Sequence, residues 1–272
     1  MGETLPFAID VIRPSVIQVR LDDPAQGPGK LIGTGFIVHS AGYALTAKHV
    51  TEPIAAVLSK SPGSRLVAGL AMPNVDIPGR LSMRGNFELL DCTVVEEDSR
   101  HDLSLLKLSP NPFATGKASG ISRTPDGGMG INGLFGLAPL TMERPRDGAA
   151  VAVSGYPMSA PTLITTSGAI ASAWSTDSAE MVPPGAPAGF TVPDIADSYI
   201  ADVAVNPGNS GGPTYLVASG AVIGMCVAFG IAEAVSTGGT PLRYNSGLSF
   251  VVPIRYGVAL LGRHVDLGPG MG

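Results

Sequence analysis

The segment Asn206-Pro207-Gly208-Asn209-Ser210-Gly211-Gly212-Pro213 surrounds one serine with small and turn-forming residues. Glycine permits the positive φ angles and close backbone approaches that such a loop demands. Successive N–H groups turned into one concavity would suit a developing oxyanion. A bare Gly-Ser-Gly reads most simply as an ordinary turn; an eight-residue string of this composition does not. A hydroxyl is a weak nucleophile alone and needs a base within hydrogen-bond reach, itself held by a third group. Four histidines are available, His39, His49, His101 and His264. The apolar run Tyr43-Ala44-Leu45-Thr46-Ala47-Lys48-His49-Val50 reads as a strand that would hold the His49 imidazole at its end. His39 falls in a hairpin turn and His264 in a C-terminal helix, and both read as solvated. Asp102 opens the almost wholly apolar run Leu103-Ser104-Leu105-Leu106-Lys107-Leu108, a costly place for an unpaired charge. A carboxylate that accepts the Nδ1–H of a catalytic histidine would relieve that cost.

The elements that must position these residues are strands. Residues 15–21 alternate, and 31–38 with 43–47 flank a hairpin turn at 39–42. Further apolar or β-branched runs fall at 87–95, 103–108, 149–154, 162–173, 199–205, 221–229 and 247–252. Short strands spaced by turns predict an all-β sandwich or barrel architecture. The best helix candidate is 254–264, with Ile254, Val258 and Leu261 at helical spacing. Two stretches, 109–148 and 175–194, lack periodicity and are expected to be functional or mobile loops.

Composition narrows the classes. The 272 residues carry 17 Lys and Arg against 22 Asp and Glu, and only 14% are charged. With no basic stripe, nucleic-acid binding is not expected, because its affinity comes mainly from cations meeting phosphates. The 36 glycines and 24 prolines are spread between apolar runs, so they read as turns rather than as low complexity. Cys92 and Cys226 are too few for a disulfide framework and read as small apolar strand residues, although one bridge is possible. No apolar stretch reaches the ~20 residues that span a bilayer. Met1-Gly2-Glu3-Thr4-Leu5-Pro6 shows neither a basic start nor an apolar run, so a cytoplasmic protein is expected unless a leader has been removed. The few histidines and cysteines show no metal-ligand spacing, and no cofactor is implied.

The order His49, Asp102, Ser210 resembles that of the chymotrypsin-like serine proteases. The nearest resemblance is to the bacterial trypsin-like peptidases of the high-temperature-requirement (HtrA) type. It rests on the block from Asp202 to Pro213 and on Gly33-Thr34-Gly35-Phe36-Ile37-Val38. Val151-Ala152-Val153-Ser154-Gly155-Tyr156-Pro157 and Gly247-Leu248-Ser249-Phe250-Val251-Val252-Pro253 also fit. These stretches lie within residues 14–253.

The resemblance implies two six-stranded antiparallel β-barrels with a short C-terminal helix. Residues 1–148 would form the first barrel and a long connecting loop, and 149–272 the second barrel and the helix. His49, Asp102 and Ser210 would be the catalytic triad, and the N–H groups of Gly208 and Ser210 the oxyanion hole. Ala204, Cys226, Val227, Ala228 and Ser249 would line the primary substrate pocket. None is a carboxylate, so cleavage of a polypeptide after small or medium apolar residues is expected rather than after Lys or Arg. No Ile-Val-Gly-Gly-like start appears and Asn209 replaces the aspartate of zymogen-derived relatives, so activation by trimming is not expected. A peptide-binding PDZ module after residue 253, which HtrA-type proteins usually carry, is not expected. Two other functions fit less well. A catalytically silent fold acting as a protein-binding module would not need all three triad residues. An esterase of the α/β-hydrolase kind would carry Gly-x-Ser-x-Gly and a different residue order.

Overall fold

The computed structural model describes residues 4–23, 27–61, 63–71, 87–114, 120–123, 129–132, 135–176, 197–235 and 241–268. A short helix, α1 (Leu5–Ile12), opens them, with Pro6 in its first turn, where a missing N–H is no loss. Six strands follow: β1 (Val16–Asp23), β2 (Gly27–His39), β3 (Tyr43–Ala47), β4 (Arg65–Ala71), β5 (Phe87–Asp98) and β6 (Leu103–Ser109). They close into a barrel in the order β1-β2-β3-β6-β5-β4, with antiparallel neighbours. The small hairpin of β7 (Gly120–Arg123) and β8 (Met129–Asn132) comes next.

The second barrel holds β9 (Ala150–Gly155), β10 (Ile164–Thr176), β11 (Ser198–Asp202), β12 (Pro213–Leu216), β13 (Val222–Val235) and β14 (Pro241–Pro253). Its closed order is β10-β11-β14-β13-β12-β9. The expected pair of six-stranded antiparallel barrels with a C-terminal helix is therefore present. That helix, α3 (Ile254–Leu261), ends before His264, which lies in the turn beyond.

Neighbouring strand residues in the second barrel serve two different cores. Val151, Val153, Cys226 and Val251 fill the barrel interior. Their neighbours Ala152, Met225, Val227, Phe250 and Val252 join a larger cluster continuous with the first barrel's interior. Successive side chains alternate across a strand, so strands buried on both faces read as unbroken apolar runs. Cys92 and Cys226 are free and buried, one in each barrel.

Three local differences from the sequence reading affect the site. The run 43–50 is not one strand: β3 stops at Ala47, and a helix, α2 (Lys48–Lys60), starts at the next residue. Val50, Thr51 and Ile54 are its buried positions. Strands β4 and β12 and helix α1 have no counterpart among the expected elements. Within the expected loop 109–148, residues 135–141 lace the barrels together. Ala138 N–H donates to Ile37 O at 2.9 Å, and Val222 N–H to Pro139 O at 2.7 Å. Phe135 and Ala138 are buried along it. Of the expected loop 175–194, residues 177–194 lie outside the described residues.

Candidate active site

Asp102 is held in the left-handed region at φ 53, an uncommon conformation for a residue other than glycine and one that clusters at functional sites. From there it satisfies the start of α2. Its backbone oxygen accepts the Lys48 N–H at 2.9 Å, and its Oδ1 accepts the His49 N–H at 2.8 Å. The first N–H groups of a helix lack internal partners and carry positive partial charge. Ala47, the residue before α2, supplies no side-chain cap, so the Asp102 carboxylate, from the turn before β6, does the capping. The remaining oxygen, Oδ2, lies 2.6 Å from His49 Nδ1. One aspartate thereby fixes both the backbone and the ring of the histidine. The carboxylate is mostly buried at 16% exposure, whereas the imidazole side chain is 45% exposed.

The other histidines are engaged elsewhere. His101 lies 2.7 Å from Asp98 Oδ2 through Nδ1 and stacks on Tyr256 at 3.6 Å between ring centroids. His264 is paired with Glu96 at 2.6 Å, and His39 Nδ1 accepts the Ala41 N–H at 3.1 Å. Lys48, next to His49, forms an i,i+4 pair with Glu52 at 3.3 Å.

The serine loop comes from the second barrel and presses onto the first. Gly208 and Gly211 take φ +103 and +85. A Cβ on Gly208 would fall 2.6 Å from the Tyr156 oxygen, so the loop tolerates only glycine there. Thr34 N–H donates to Ser210 O at 3.0 Å. On the far flank, Gly211 N–H donates to Cys226 O at 2.8 Å and Cys226 N–H to Gly212 O at 2.9 Å, which ties the loop to β13. The position of a Cβ on Gly33 would lie 2.6 Å from Val50 Cγ1 and 3.3 Å from Ser210 O. Val50, the residue after His49, and the Ser210 carbonyl thus both crowd Gly33. Among the described residues the Ser210 hydroxyl has no hydrogen-bond partner. Catalytic hydrogen bonds are often long in unliganded enzymes and tighten with substrate.

The residues expected around the substrate pocket divide. Ala204 is exposed and Ala228 partly so, whereas Cys226, Val227 and Ser249 are buried. Ser249 Oγ donates to Ala201 O at 3.3 Å, and Cys226 faces the barrel interior. Burial pushes the Cys226 thiol up to about 12. Asn209 is buried beside Ser210, and its Oδ1 has no partner among the described residues.

Sequence reasoning gave Thr34 no role. The available signal was a hydroxyl between two glycines in an otherwise apolar strand.

The two barrels, with a histidine and an aspartate paired on the first and a glycine-rich serine loop docked from the second, define a class. The model of the trypsin-like peptidase domain matches residues 33–225. The chain therefore belongs to the trypsin-like peptidase family. Among solved structures it is similar to an HtrA-type protease, AlgW, in a serine-to-alanine form with a tripeptide. Identity is 19% and the TM-score 0.58, over 97% of this chain and 64% of that one. The chain thus spans less than two thirds of that neighbour. No curated protein matches the chain significantly. Among the described residues no helix is long and apolar enough to cross a membrane.

Proposed function

We propose that this chain is a serine endopeptidase that hydrolyses peptide bonds through His49, Asp102 and Ser210 and a covalent acyl-enzyme. The observation that carries the reading is the bidentate grip of Asp102 on His49, beside a serine loop held on the same barrel by Thr34. His49 Nδ1–H donates to Asp102, which leaves Nε2 as the base. Nε2 takes the Ser210 proton as Oγ attacks the scissile carbonyl, then returns it to the leaving amine. Asp102 orients the ring and stabilises its imidazolium form. The N–H groups of Gly208 and Ser210 receive the oxyanion, and one such donor is worth roughly 3 kcal/mol in the transition state. Water then attacks the ester with His49 again as base.

The expected specificity is for small or medium apolar residues before the scissile bond. Ala204 and Ala228 offer no charge, and Asp202 is an exposed residue at the end of β11.

A fluorophosphonate probe tests the reading. The native protein is expected to be labelled and a Ser210→Ala variant not; equal labelling of the two defeats the active-serine assignment. A peptide-library digest reads specificity in the same preparation, and dominant cleavage after Lys or Arg would refute the apolar preference.

A further inference from the structure

Thr34 is fully buried on β2, and all its polar groups are engaged with the residues around the serine. Its N–H donates to Ser210 O at 3.0 Å. Its Oγ1 donates to Gly208 O at 2.6 Å and accepts the Tyr156 N–H at 3.0 Å. Its own carbonyl accepts Thr46 Oγ1 at 2.7 Å. A strap after β9 adds one more hold: Met158 N–H donates to Pro207 O at 2.7 Å. That strap turns through two consecutive left-handed residues, Met158 at φ 52 and Ser159 at φ 60.

These contacts dictate where the loop's N–H groups point. A trans peptide is planar, with its C=O and N–H directed oppositely. Pinning Pro207 O to the strap therefore turns the Gly208 N–H away from it. Pinning Gly208 O to Thr34 turns the Asn209 N–H the other way, onto Asn206 O at 3.0 Å. Pinning Ser210 O to Thr34 sends the Gly211 N–H to Cys226 O. Among the described residues, the loop N–H groups left without an acceptor between Gly208 and Gly212 are those of Gly208 and Ser210.

We propose that Thr34 is a positioning residue for the oxyanion site, its hydroxyl bridging Tyr156 and Gly208 so that the Gly208 and Ser210 N–H groups face the reacting carbonyl. This rests on the peptidase reading above. The hydroxyl has one proton to give and lone pairs to receive, and the bridge uses both capacities. Removing it leaves the buried Tyr156 N–H and the part-buried Gly208 carbonyl unpaired and lets the Gly208–Asn209 peptide rotate. Loss of that orientation weakens transition-state binding more than substrate binding.

The test compares Thr34→Val with Thr34→Ser. Each is measured by thermal unfolding, peptide hydrolysis and the affinity of a peptidyl aldehyde that forms a reversible tetrahedral adduct. For Thr34→Val, kcat is expected to fall roughly 10- to 100-fold with KM within about twofold, and aldehyde affinity to fall in step. Thr34→Ser restores both to within a few-fold. Should Thr34→Val not fold, the smaller Thr34→Ala is read by the same comparison. A folded variant without the hydroxyl that keeps kcat, or a loss that serine does not rescue, overturns the proposal. A loss confined to thermal stability, with aldehyde affinity unchanged, overturns it as well. A native protein inert to both fluorophosphonate and peptide fails at the earlier step and refutes the peptidase reading itself.

Discussion

Gly211 lies against the Thr34 carbonyl so closely that a Cβ there would fall 2.1 Å from its oxygen. The same Cβ would come within 2.4 Å of Thr46 Oγ1 and 2.9 Å of the Ala47 nitrogen, and the residue holds φ +85. The serine loop and the strand leading to His49 are therefore in backbone contact, with no side chain between them.

Gly211→Ala is expected to cost at least about 2 kcal/mol of stability, because strain at positive φ adds to a clash that backbone alone can relieve. Peptidase activity is expected to fall with it. Calorimetric unfolding and a peptide assay on the folded fraction check both; an alanine variant that unfolds and cleaves like the parent would show that the barrels sit further apart.

Asp102→Asn preserves shape but replaces one acceptor oxygen by an amide donor. The imidazole then loses the partner that keeps the proton on Nδ1, and Nε2 is no longer the free base. A kcat loss of about 10⁴-fold is expected with KM little changed. The weaker cap on α2 is expected to cost about 1 kcal/mol in unfolding. Steady-state kinetics decides, and a kcat within tenfold of the parent removes Asp102 from the triad.

Burial holds the thiols of Cys92 and Cys226 up at about 12, with the Asp91 charge adding to the effect at Cys92. At pH 8 neither should react with a thiol reagent until the chain unfolds, because the thiolate is the nucleophile. The stability due to the neutral thiols is complete below the unfolded value of 9.0 and is lost as pH rises from there toward about 12. Reagent titration with and without denaturant, and alkaline unfolding of Cys→Ala variants, measure these effects. Rapid labelling of the native protein would contradict the burial.

Much of the fold and site was legible because it is carried by local pattern. The serine block needs glycines at Gly208 and Gly211 for positive φ and close approach, so its composition announces a special turn. Asp102 stood out as a charge at the mouth of an apolar strand, and the structure pairs it with His49. What stayed hidden depended on tertiary contact. The apolar residues Val50 and Ile54 carry the helical spacing of α2. Pro53 inside that helix hides it, and the cap that starts it comes from residue 102 rather than from the residue before it. β12 is four residues long and begins with Pro213, so it carries no periodicity of its own. Burial of Cys226 and Ser249 inside the second barrel depends on which face of a doubly buried strand each occupies. Apolar runs on both faces erase that information.

The helix α3 leaves the second barrel and packs on the first. A Cβ on Gly257 would lie 2.4 Å from Leu45 Cδ1, and beyond the helix Arg263 and His264 pair with Glu96. It works as a clasp between the two barrels. A chain cut before Ile254 would retain His49, Asp102 and Ser210 and the Thr34 ties, and lose one of the contacts that join the two barrels. On a ribosome this helix emerges after His49, Asp102 and Ser210. The three candidate residues are then all synthesised before the helix that joins the second barrel to the first.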